Sequence, residues 1–183
     1  MLFNAADIFA KAGLSDAKLA SLPLTAVQLI GNVLACLLVD KIGRCIPLWT
    51  AALGMATSLI GLGVYFEIYE AVASISWLSI FCSVLFCFFY SLAWGPIPWI
   101  VMGEIIPLRA RGLGTGLSTV ACWVTLFLVT KTYVTLDEAL GDQGVCWFYA
   151  GLCCCACGFV VLLLPETKGR SLEEIESSFQ VLP

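Results

Sequence analysis

Histidine is missing from all 183 residues of the chain. Its absence excludes imidazole-ligated metal centres and histidine general bases outright. Charge is scarce too. Asp, Glu, Lys and Arg together make up 12% of residues, about half the share found in soluble domains. A chain with so few charges has too little polar surface to face water. What stands in place of charge is apolar: 61% of residues are hydrophobic and the mean hydropathy is +0.99. These residues fall in long blocks rather than in period-2 or period-3.6 patterns, so lipid is the solvent for most of the chain. A formal net charge of −4 with dispersed Lys and Arg leaves no footprint for nucleic acid. No basic leader precedes an apolar run with a cleavage site, so no signal peptide is expected.

The ten cysteines lie almost entirely inside apolar runs, where Cys behaves as a small hydrophobe. Cys153-Cys154-Cys155-Ala156-Cys157 contains a C-x-x-C spacing, but neither a charged neighbour nor a histidine accompanies it. Small-residue helix packing is the reading favoured over metal binding or S-palmitoylation. No metal and no cofactor is expected.

A membrane span needs about 20 mostly apolar residues, and five stretches qualify: 22–39, 46–66, 74–102, 113–134 and 144–164. None alternates as a barrel strand would, so each is assigned as a helix. Lys41 and Arg44 follow the first span, Arg109 and Arg111 the third, and Lys168 and Arg170 the fifth. The intervening connections carry Glu67 and Glu70, then Asp137, Glu138 and Asp142, with Lys131 nearby. The positive-inside rule places the basic connections and the C-terminus in the cytoplasm. Residues 1–21 are then expected to form the end of a truncated helix and an extracellular loop, 22–164 a five-helix bundle, and 165–183 a cytoplasmic tail. Ser171 with Glu174 reads as a capping box opening a short helix in that tail.

The third span is interrupted by Gly95, Pro96 and Pro98. Proline inside a helix removes a hydrogen bond and breaks its geometry. In a membrane the freed carbonyls are tolerated only against protein or a water-filled cavity. Transporters place such discontinuous helices at their substrate sites, so the break is a candidate cavity wall. The plain alternative is a structural kink.

Three motifs lie in order along the chain: Asp40-Lys41-Ile42-Gly43-Arg44 after the first span, Gly95-Pro96-Ile97-Pro98-Trp99 followed by Glu104 and Arg111, and Pro165-Glu166-Thr167-Lys168-Gly169-Arg170 after the last. Ile8-Phe9-Ala10-Lys11-Ala12-Gly13 stands ahead of them. In sequence and spacing these segments resemble the glucose-transporter branch of the major facilitator superfamily, from the end of its seventh helix through its twelfth. Val129-Thr130-Lys131-Thr132 is most similar to the insect facilitated trehalose transporters. The resemblance implies an all-α membrane protein, a major facilitator C-terminal six-helix half with about five complete spans here. It implies a sugar transporter, not an enzyme, working by alternating access in the plasma membrane. The expected partners are a sugar (a hexose or trehalose), the lipid bilayer and the missing N-terminal half.

Trp99 offers a flat apolar face and one N–H donor, which suit a sugar ring. Tyr90 and Ser91 lie about two turns earlier, Ser91 on nearly the same helical face as Trp99. Family correspondence adds Gln28 and Trp123. A mid-membrane Gln also reads as an interhelical hydrogen bond. Ser91 stands where many glucose transporters carry Glu, Cys122 where they carry Asn, and Gln28 replaces an Asn, which puts glucose in doubt as the preferred sugar. By the same resemblance Asp40, Arg44, Glu104, Arg111 and Glu166 form a cytoplasmic gate; the plain alternative is that they only set topology. Facilitated diffusion is the default mode. Proton symport, a non-transporting half acting as sensor or regulatory partner, and a membrane-embedded enzyme are the alternatives; the last is opposed by the lack of histidine and of mid-membrane acids.

Overall fold

The computed structural model describes residues 17–68, 76–107 and 110–169. Every regular element among them is helical: α1 (Ala17–Ile42), α2 (Cys45–Ile68), α3 (Ser76–Phe89), a π segment (Tyr90–Trp94), α4 (Ile97–Ile105) and α5 (Arg111–Leu163). Lipid leaves this chain little choice, because an apolar segment in hydrocarbon must satisfy its backbone internally. Four helical stretches are long and apolar enough to cross a membrane: Leu24–Ile42, Cys45–Ile68, Trp77–Ile105 and Arg111–Leu163.

The last of these holds 53 residues, roughly 80 Å of helix at 1.5 Å per residue, more than twice a bilayer core. Gly141 alone divides it, with φ 72° and ψ 167°, a conformation glycine adopts without a Cβ penalty. The expected fourth and fifth spans are thus the two arms of α5, 111–140 and 142–163. The anticipated connection between them is helical up to Leu140 and turns at one residue. Their polar residues sit on helix, where intrahelical bonds satisfy the backbone more cheaply than a loop does. At the other terminus α1 already begins at Ala17, so part of the expected extracellular loop is helix. The capping box at Ser171, together with Arg109, Arg170, Glu70 and the Ile8–Gly13 segment, lies outside the described residues.

The second arm of α5 runs antiparallel along α2. A Cβ on Gly63 would lie 2.9 Å from the Trp147 indole nitrogen, Cys157 Sγ stands 3.7 Å from the Trp49 carbonyl, and Cys45 Sγ 3.4 Å from the Leu164 carbonyl. Small residues set the other crossings. A Cβ on Gly31 would meet that of Ser91 at 2.8 Å, and one on Gly54 would meet the Phe89 ring at 2.5 Å. Such close approach is how membrane helices gain packing energy where lipid removes the hydrophobic drive. The core groups Val39 of α1, Leu48 and Ala51 of α2, Ala93 of the π segment, Ile97 and Val101 of α4, and Val160 of α5. By contrast, no residue of the first arm of α5 is buried.

Candidate functional site: a polar clamp and a mid-bundle cavity

The third span breaks where Gly95, Pro96 and Pro98 stand. Gly95 N–H donates to the Tyr90 carbonyl at 2.8 Å, an i→i+5 bond that widens the turn. Pro96 has no N–H to give, and α4 restarts with Pro96 at its N-cap and Pro98 in its first turn, where an absent donor costs nothing. The wide turn shifts the register of everything after it. Ser91 is 1% exposed while Trp99 is 47% exposed, so the two side chains have different surroundings. Ser91 packs against Gly31, and its hydroxyl donates to the Cys87 carbonyl at 2.8 Å.

Beside this break lies a cavity of about 450 Å³ between α2, α3, the π segment and both arms of α5. Of the five residues expected to touch a sugar, Tyr90 lines it; Gln28, Ser91, Trp99 and Trp123 do not. Gln28 is half-buried on α1, and Trp123 stands 63% exposed on the first arm of α5. Trp94 forms part of the wall and donates its indole N–H to the Leu48 carbonyl at 3.0 Å. Trp94 closes the π segment, and nothing in the spacing of the motif announces its place in the wall.

The second construction sits at the end of the bundle carrying the basic residues. Arg44 Nη2 donates to Glu104 Oε1 at 2.8 Å and lies 3.8 Å from Asp40. Glu166 accepts the backbone N–H groups of Arg44 at 2.9 Å, Cys45 at 3.0 Å and Lys168 at 3.1 Å. Gly43 makes that approach possible: it has φ 101°, and a Cβ there would lie 2.8 Å from Glu166 Oε2. Burial pushes the Glu166 carboxyl up, but the N–H groups of Arg44, Cys45 and Lys168 and the Cys45 thiol outweigh it, and the net shift is below the ordinary glutamate value. Thr167 donates its hydroxyl to the other Glu104 oxygen at 2.6 Å, and Lys168 Nζ donates to the Lys41 carbonyl.

Four of the five expected gate residues, Asp40, Arg44, Glu104 and Glu166, are thus brought together. Arg111 is not: it forms no ion pair among the described residues, and its Nε is buried with no hydrogen-bond partner. Thr167 is the member that sequence reasoning missed. It lay in view inside the last motif, but hydroxyls are ordinary at a helix end and its partner is 63 positions away.

The sequence model of the "Sugar (and other) transporter" family matches residues 1–179. The facilitated trehalose transporter Tret1 of Bombyx mori is 38% identical over 180 residues, covering 96% of this chain and 36% of the relative. The facilitated glucose transporter member 8 of solute carrier family 2 from Mus musculus is 31% identical over 200 residues, covering 98% and 42%. Among solved structures, the proton:xylose symporter XylE bound to 6-bromo-6-deoxy-D-glucose superposes with a TM-score of 0.83 at 28% identity, over 97% of this chain and 38% of that one. The inward-open xylose transporter XylE from E. coli gives 0.79 at 29% identity, over 87% and 35%. The chain spans well under half the length of each of these relatives.

Proposed function

This chain belongs to the sugar (and other) transporter family, and on that premise we propose that it supplies the carboxyl-terminal membrane half of a sugar transporter. It is an all-helical, multi-pass membrane protein with the major facilitator fold. The proposed cargo is a hexose or trehalose, moved by alternating access and facilitated diffusion, with a second, N-terminal half completing the sugar site. No bond is made or broken. Gln28, Tyr90, Trp99 and Trp123 are the proposed sugar contacts, with Ser91 supporting the helix crossing behind them. Asp40, Arg44, Glu104 and Glu166 close the cytoplasmic end, and Arg111 joins them in a different state of the cycle. The plasma membrane is the proposed location, with residues 165–183 in the cytoplasm.

The observation that carries this reading is the break in the third span. A π turn and two prolines interrupt the helix beside a cavity, and in a bilayer a broken helix stands only where a cavity or protein satisfies it. Trp99, just past the break, is half exposed. The test is uptake of labelled trehalose and glucose by the full-length transporter in proteoliposomes. Trp99→Leu should insert normally and lower uptake about tenfold, the loss of one well-stacked aromatic contact. Normal uptake by this variant overturns the assignment of Trp99. Facilitated diffusion predicts that uptake follows the sugar gradient and is unchanged when the pH gradient is collapsed. A fall in accumulation would instead establish proton symport.

A further inference from the structure

Glu104 is an awkward residue for its position. It is the next-to-last residue of α4, where the partial negative charge of the helix terminus disfavours a carboxylate. Its side chain is long and flexible, and both of its partners come from other elements. Arg44 engages one oxygen, Oε1, at 2.8 Å. What holds the second oxygen decides whether the carboxylate keeps facing Arg44.

That second oxygen, Oε2, accepts the Thr167 hydroxyl at 2.6 Å, the length of a hydrogen bond to an ionised acceptor. Thr167 is 4% exposed, and a buried hydroxyl without a partner is costly. Immediately before it in the chain, Glu166 accepts the backbone N–H groups of Arg44 and Cys45. The bonds therefore close a ring. Arg44 reaches Glu104 through its side chain, Glu104 reaches Thr167, and Glu166 returns to the Arg44 backbone. Among the described residues, the Thr167–Glu104 link is the one hydrogen bond between α4 and the segment that follows α5. A hydroxyl suits that place, because it donates a bond to Glu104 without bringing a charge that competes with Arg44.

We propose that Thr167 is the positioning residue of the clamp. Its hydroxyl holds the Glu104 carboxylate toward Arg44 and latches the segment after α5 to the end of α4. Opening the basic end requires this bond to break along with the ion pair. The inference rests on the cytoplasmic closure proposed above. It adds to the charged residues a neutral member through which the chain following α5 sets how often that end opens.

The test is thiol labelling of the purified full-length transporter with N-ethylmaleimide, the labelled sites being resolved by peptide mass spectrometry. Cys45 reports on the clamp: its thiol lies 3.4 Å from the Leu164 carbonyl and its N–H is bonded to Glu166. Cys82 and Cys87 of α3, both buried, report on the rest of the bundle. Thr167→Val keeps the shape and removes the donor. It should raise Cys45 labelling about tenfold, the loss of one hydrogen bond to a charged group, and leave Cys82 and Cys87 unchanged. Thr167→Ser restores the donor and should return Cys45 to the wild-type rate. Unchanged Cys45 labelling in Thr167→Val, equal acceleration in Thr167→Ser, or a rise shared by Cys82 and Cys87 overturns the proposal. Should Thr167→Val fail to accumulate, Thr167→Ala makes the same comparison. Glu104→Gln separates this inference from the reading beneath it. Acceleration by Glu104→Gln without acceleration by Thr167→Val leaves the closure standing and removes Thr167 from it. No acceleration by either removes the closure as well.

Discussion

The basic end of the bundle and its middle are held together in different ways. At the basic end, the ends of α1, α2, α4 and α5 meet through directional bonds, and a single carboxylate joins residues 122 positions apart. In the middle, the helices touch by shape, glycine against Ser91, Phe89 and Trp147, and leave a cavity of about 450 Å³. Lipid explains the contrast. Hydrocarbon gives helices no hydrophobic reason to associate, so contacts come from close packing where the surroundings are apolar and from charge-assisted bonds near water. The clamp fixes which helix ends meet.

The largest effect that breaks this comparison is expected at Gly43. Gly43→Ala combines a left-handed backbone with a Cβ driven into the Glu166 carboxylate, and should destabilise the full-length transporter by about 3 kcal/mol in thermal unfolding in detergent. In the middle, Gly54→Leu presses on the Phe89 ring and should cost about 2 kcal/mol, as overpacking does; a neutral result would mean that the middle is looser than its crossings imply. Glu104→Gln removes the charge facing Arg44. The two side chains are only 14% and 23% exposed, so a largely buried guanidinium loses its main partner, and with Asp40 still nearby the expected loss is about 2 kcal/mol.

The smallest and most specific effect is on pH dependence. The folded state holds the Glu166 carboxyl below its ordinary value, so its contribution is complete at neutral pH. That contribution begins to drain below about pH 4.3, the unfolded glutamate value, and is gone once the pH falls below the depressed folded value. Glu166→Gln should start less stable at neutral pH and lose less on acidification. Parallel acid limbs for the two proteins would remove Glu166 from the clamp's electrostatics.

Much of this was legible without coordinates because lipid allows so few answers. Long apolar blocks can only be helices, and Gly95, Pro96 and Pro98 marked the break because proline cannot continue a helix. The three motifs indicated Asp40, Arg44, Glu104 and Glu166 together. Other features were out of reach. The burial of Ser91 depends on its packing against Gly31 of another helix, and helical periodicity carries no sign of that crossing. The helix running through residues 135–140 was hidden by its polar composition, which reads as loop when burial is unknown.

The residues by themselves thus determined the solvent, the helical class, the family and the position of the break, since each follows from local composition or from a contiguous motif. Only the tertiary structure decided which faces turn inward, that Thr167 reaches Glu104, that Arg111 forms no ion pair among the described residues, and that a cavity opens between α2, α3 and the two arms of α5. Those outcomes depend on contacts between residues far apart in the chain. Their geometry is set by how whole helices pack, and no local pattern encodes it.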